Sequence, residues 1–382
     1  MSPRVEERAP PRARPRPVPR RARLRIAMVA FGSWDSTAAL AGALAPHVDL
    51  HLLVPRACAD YIGAGFDPRV TIGSFDEPRL RRPLGQARMA KDIVGRIQRI
   101  DPDLVHVQQG HPWFNFALGA LRRYPLVVTV HEPRLGRGER HSARALPQFA
   151  VGRAFGRADQ LIVHGGDVAG AVAALGIDPA GVHVCPYAFP ALARDRPSER
   201  PTAPTVLFFG RIFPYKGLRE LIRAAPRVID RVPTARFVVA GDGHELARCR
   251  PLMDASASFD VREGFVTRDE RDALFARASV VALPYVRASA SGIVPITQLH
   301  RRPVVATAVG ALPEAVEHGH TGLIVPPGDH EALAAALATL LSDDRLSDAM
   351  GQAARLRLES DSARAAGATL DVYERALAGA RR

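Results

Sequence analysis

Residues 208 to 217, FFGRIFPYKG, set an arginine and a lysine where an anion would be held. An apolar run ends at Gly210, Arg211 follows, Lys216 comes five residues later, and Gly217 precedes a stretch with helical spacing. Such a strand-to-helix loop turns a forked guanidinium, a compact ammonium and the positive end of a helix towards one point, which suits a diphosphate. The plainer reading of a basic loop is solvation. Against it, only Lys91 and Lys216 are lysines among 52 basic residues, and Lys216 stands beside the helix-opening glycine.

Other loops carry further polar groups. In AGDGHEL, 240 to 246, Gly241 and Gly243 permit close approach of backbone to a nucleotide, or simply a tight turn. In ASASGIVPI, 288 to 296, the hydroxyls of Ser289 and Ser291 and the amide of Gly292 are donors suited to phosphate oxygens. Glu314 begins a helix after Pro313, where a carboxylate favours the macrodipole and where a purely structural role is the simpler account. His131 closes the run LVVTV and precedes Glu132 and Pro133, so its imidazole is expected at a sheet's carboxyl edge, projecting into a cleft. Gly32 and Ser33 follow the first apolar run. No metal site is expected. Asp101 and Asp103 flank a turn-forming proline, Leu135 stands where H-E-x-x-H needs its second histidine, and His318 and His320 lack acidic or Cys companions.

The elements that must position these groups are short, unalternating apolar runs separated by helical patterns, the signature of parallel sheets covered on both faces. Strands are expected at 25–31, 49–54, 104–107, 126–130, 159–164 and 182–187. After the Pro/Arg/Ala-rich stretch 190–204 the pattern restarts with strands at 205–210, 237–241, 279–284, 303–307 and 322–326, followed by two Ala/Leu/Arg helices at 330–341 and, with breaks, 344–379. The fold class is α/β: two doubly wound, Rossmann-like domains facing across a cleft, 25–189 and 205–360, joined by a linker at 190–204. Residues 361–382 form a C-terminal helix expected to pack back on the first domain. A length of 382 residues, 47% hydrophobic and 24% charged residues and a mean hydropathy near zero exclude disordered and fibrous chains. The longest apolar stretch, Ala332 to Leu341, is far short of the roughly 20 residues needed to span a bilayer. Three scattered cysteines, Cys58, Cys185 and Cys249, favour a reducing cytoplasm over a disulfide framework.

Taken in order, G-R-x-x-x-x-K-G, AGDGHEL, REGFV at 262 to 266, PVVAT at 303 to 307 and GALPEAVEHGHTGLIVPPGD at 310 to 329 resemble the GT-B-fold glycosyltransferases of family 4. DPDLVHVQ at 101 to 108 and VVTVHEP at 127 to 133 are similar to the same family, and the likeness covers almost everything after residue 25. It implies transfer of a sugar from a nucleotide-diphosphate donor with retention at the anomeric carbon and without an obligatory metal or a bound cofactor. It implies a catalytic role for Arg211 and Lys216 at the departing diphosphate, where preorganised cations lower the barrier. His131 matches the histidine that contacts the donor sugar. Gly264, Phe265 and Val266 match the segment facing the base, and Gly32 and Ser33 the loop meeting acceptor and phosphate. One departure matters. The family's two glutamates separated by seven residues fall on Ala288 and Ile296, and the Ser-x-Ser-Gly text of a subset stands in their stretch.

Two readings follow: an active transferase for a glycan, lipid or small-molecule acceptor, or a degenerate relative that binds a nucleotide sugar or a partner. The tail, residues 1–24, is rich in Arg and Pro and has no apolar period, so disorder is expected; its charge suits peripheral contact with an anionic membrane. No zinc-finger, RNP or recognition-helix text is present, and specific nucleic-acid binding is not expected.

Overall fold

The structure, a computed structural model, describes residues 23–131, 146–189, 203–287 and 291–380. The tail up to residue 22, most of the linker, Glu132, Pro133, Leu135, Ala288 and Ser289 lie outside the described residues. The first sheet holds β1 (Arg25–Ala30), β2 (Asp49–Pro55), β3 (Thr71–Phe75), β4 (Leu104–Gln109), β5 (Leu126–Val130), β6 (Gln160–Val163) and β7 (Val182–Val184). The second holds β8 (Thr205–Phe209), β9 (Arg236–Gly241), β10 (Phe259–Glu263), β11 (Val280–Leu283), β12 (Val304–Thr307) and β13 (Gly322–Val325). Every pairing is parallel. The orders are β3-β2-β1-β4-β5-β6-β7 and β10-β9-β8-β11-β12-β13. Burial on both faces explains the apolar runs: every residue of β5, β11 and β12 is buried.

These orders reverse at β1 and at β8, so each sheet has its crevice where its first strand ends. Gly32 and Ser33 follow β1, and the Arg211–Lys216 loop follows β8. Strands β3 and β10 carry no continuous apolar run because each is a sheet edge, where exposure lets polar residues interrupt the strand.

The final helix corrects the expectation of breaks: Asp344–Gly379 is one helix of 36 residues. Gly351 and Gly367 each cost about 1 kcal/mol relative to alanine. Packing on both domains offsets this. A Cβ on Gly351 would lie 2.0 Å from the Arg301 carbonyl oxygen, so glycine brings the helix against the second domain. Further along, Ser362 Oγ bonds the backbone of Phe189, and Ala365, Val372, Tyr373 and Ala376 enter the core of the first domain. Among the described residues no helix is long and apolar enough to cross a membrane.

Candidate active site

The carboxyl ends of β8 to β11 are tied together beyond their strands. Gly210 N–H donates to the Ala240 carbonyl at 3.0 Å and Ile212 N–H to that of Asp242 at 2.8 Å. Gly264 N–H reaches the Gly241 carbonyl at 3.1 Å, and Val286 N–H the Tyr215 carbonyl at 2.8 Å. Four loops therefore form one backbone-linked edge. The glycines are demanded by this packing: a Cβ on Gly241, whose φ is 140°, would lie 1.9 Å from the Gly210 carbonyl oxygen, and one on Gly243 would lie 2.2 Å from that of Ile212. Their role in the structure is thus close approach of protein to protein.

Arg211 is exposed, with its guanidinium 5.6 Å from the centre of the Phe213 ring. The Lys216 ammonium lies 4.0 Å above the Tyr285 ring and 5.2 Å from that of Tyr215. Phe265 projects from the loop after β10, 81% exposed. Ser291 Oγ lies 3.0 Å from the Tyr285 hydroxyl and accepts from Ile293 N–H at 3.3 Å, so it organises the turn that opens the helix Ile293–Leu299. Gly292 is exposed just before that helix. Ile296 points the other way, buried among Leu283, Tyr285, Leu312 and Val316.

On the first domain's edge, Ser33 holds a left-handed φ of 51° and His131 directly follows β5. They meet through Tyr187, whose phenol has the Ser33 and Ser36 hydroxyls as partners and lies 3.2 Å from His131 Nδ1. His131 Nε2 lies 3.0 Å from the Gln108 carbonyl oxygen, which can only accept, so Nε2 carries the proton and Nδ1 accepts from Tyr187. Both ring nitrogens are therefore held within the first domain. Tyr187 had no motif to announce it, and Gln108, the last residue of DPDLVHVQ, meets His131 through its backbone carbonyl.

Behind this edge Thr129 donates to Gln108 Oε1, accepts from His106 Nε2, and leaves His106 Nδ1 to accept from Tyr373 of the final helix at 2.7 Å. Burial pushes His106 and His131 down to about 3, with the nearby His164 adding to it, and pushes His111 and His164 down to about 4. All four are neutral in the folded chain at pH 7, whereas an unfolded histidine titrates near 6.5. Stability from these groups is complete above about pH 6.5 and is lost as pH falls towards 4, by up to about 1.4 kcal/mol per pH unit for each histidine. The urea midpoint is expected to fall between pH 7.5 and 5, and less steeply in His164→Asn. An equal or higher midpoint at pH 5 would contradict this.

Two clamps set the carboxyl edges of the two sheets face to face. In the first, Asp35, just past β1, receives Arg271 Nη1 at 2.6 Å and the Tyr61 hydroxyl at 3.2 Å. In the second, the Glu314 carboxylate crosses from the short helix Leu312–Ala315 that follows β12 to accept from Gly166 N–H at 2.9 Å, at the start of the helix Gly166–Ala173. Glu314, a sequence candidate for donor binding, thus holds the backbone N–H of Gly166 in the opposite domain. Removing one partner of a buried ion pair strands the other, at about 3–5 kcal/mol. Arg271→Ala is therefore expected to lower the thermal midpoint and enlarge the radius of gyration in X-ray scattering. Asp35→Asn in the same chain should restore part of the loss, and simple additivity would show that the two groups are uncoupled.

Among the described residues no group of three or more His, Cys, Asp or Glu is arranged to hold a metal, and the three cysteines are buried and free.

Two parallel-sheet α/β domains facing through their carboxyl edges, with an Arg/Lys loop at the second crevice, have the architecture of the GT-B fold. The family described as Glycosyltransferase Family 4 matches residues 32–189, and that described as Glycosyl transferases group 1 matches residues 203–343. The D-inositol 3-phosphate glycosyltransferase of Streptomyces bingchenggensis is 31% identical over 315 residues, covering 73% of this chain and 68% of that one. A GDP-mannose-dependent alpha-(1-6)-phosphatidylinositol monomannoside mannosyltransferase of Mycobacterium tuberculosis is 34% identical over 180 residues, 42% of this chain and 44% of that one. Anabaena HepE, solved with UDP-glucose, superposes with a TM-score of 0.69 at 17% identity, covering 92% of this chain and 98% of that chain. The chain belongs to glycosyltransferase family 4.

Proposed function

We propose that the protein transfers a sugar from a nucleotide-diphosphate donor, held on the edge of the second domain, to a glycan, lipid or small-molecule acceptor on the edge of the first, with retention and without an obligatory metal. The observation that carries this reading is the joined loop edge of β8 to β11, which sets Arg211 and Lys216 over aromatic rings in the crevice of the second sheet. As the bond from the sugar's C1 to the phosphate oxygen breaks, its electron pair moves onto the diphosphate, and the two cations stabilise the charge. The acceptor hydroxyl oxygen bonds C1 on the same face, and its proton passes to the departing phosphate oxygen. His131 faces this reaction as a neutral imidazole and can take a hydrogen bond from the sugar by exchanging Tyr187.

The names of relatives, an inositol-phosphate glycosyltransferase and a GDP-mannose-dependent mannosyltransferase, support nucleotide-sugar donors and phosphorylated or lipid-linked acceptors. Calorimetric titration with a panel of UDP-, GDP- and ADP-sugars is expected to find one that binds. Its turnover should survive EDTA, and NMR of the product should show the donor's anomeric configuration. A chain that binds none of the panel would sink the enzyme reading in favour of a degenerate relative; inversion or loss of turnover in EDTA would sink only those two particulars.

A further inference from the structure

The Lys216 turn is built directly on the segment that follows β11. A Cβ on Gly217 would fall 1.8 Å from the Pro284 carbonyl oxygen, and Val286 N–H bonds the Tyr215 carbonyl at 2.8 Å. Between these two contacts sits Tyr285, almost wholly buried, with its backbone carbonyl accepting from Thr307 Oγ1 at 2.6 Å and its hydroxyl 3.0 Å from Ser291 Oγ. The backbone on both sides of the ring and the ring's hydroxyl are therefore held, and the Lys216 ammonium lies 4.0 Å above its face.

We propose that Tyr285 is a positioning residue for the reaction: its ring face holds the Lys216 ammonium where charge develops on the departing diphosphate. A lysine side chain loses rotamer entropy when it is fixed. A buried ring face compensates part of this through attraction to the cation. That attraction uses the π face and no hydrogen-bond acceptor, so it competes little with phosphate oxygens for the ammonium's protons. Ser291, reached in the sequence as a phosphate donor, acts here through Tyr285 by fixing the ring's edge. The proposal rests on the leaving-group assignment of Lys216 made above.

The test uses the full chain and the donor found by titration. Tyr285→Phe keeps the ring face, loses the contact of its hydroxyl with Ser291 Oγ, and is the reference against which the series below is read. Replacing it further by mono-, di- and trifluorophenylalanine withdraws electron density from the ring face while nearly preserving its shape. Over that series kcat should fall stepwise, by about tenfold in total, with KM and the thermal midpoint little changed. In the Lys216→Ala background the same series should leave kcat flat. A flat series in the presence of Lys216, or an equal fall in its absence, overturns the positioning role. Should Lys216→Ala itself leave turnover intact, the leaving-group assignment falls instead, so the two failures are distinct.

Discussion

Lys216→Ala is expected to lower kcat/KM on the order of 10²-fold or more while leaving the thermal midpoint near that of the parent. The charge that appears when the glycosyl bond breaks is absent from the ground state, so a fixed ammonium contributes more to the transition state than to donor binding. KM should therefore change less than kcat. Arg211→Ala should behave alike, since it stands on the same loop of the same crevice. If both cations serve one diphosphate, the double variant loses less than the product of the single losses. Steady-state rates with the bound donor, together with product-nucleotide affinity by calorimetry, measure all of this. Unchanged turnover in either single variant with the fold intact would remove that residue from the leaving-group site.

The second large effect is on stability. Family resemblance draws attention to position 296 as a site for a carboxylate, yet Ile296 is only 7% exposed and packs in the second domain's core. Ile296→Glu would bury a carboxylate without a prepared partner. A loss of more than about 4 kcal/mol is expected, against about 1 kcal/mol for Ile296→Val. Urea denaturation of the two variants reads this difference. Tighter nucleotide binding by a well-folded Ile296→Glu chain would show instead that the position opens towards the donor.

Much of the fold was legible from local text. RIAMVA, LVVTV and VVAL are apolar without alternation because they are buried on both faces, and that pattern has few realisations other than a covered parallel sheet. The edge strands TIGSF and FDVRE were not, because exposure removes the signal. At the candidate site, Arg211 and Lys216 could be singled out because their chemistry lies within one loop. Tyr285 could not, since nothing in LPY announces a ring that will lie beneath a lysine 69 positions earlier.

The sequence by itself determined the two wound parallel sheets and the loop that carries two cations past β8. Tertiary structure alone decided that Glu314 caps a helix of the opposite domain, that Tyr187 and Gln108 occupy both nitrogens of His131, that Asp35 meets Arg271, and that one unbroken helix joins both cores. The physical reason is range. Strand and helix periodicity records which side of a segment is buried, a property of neighbours a few residues apart. The partner of a polar group is set by segments as distant as Asp35 and Arg271, and is chosen when folding brings two loop edges together and each buried donor must find an acceptor.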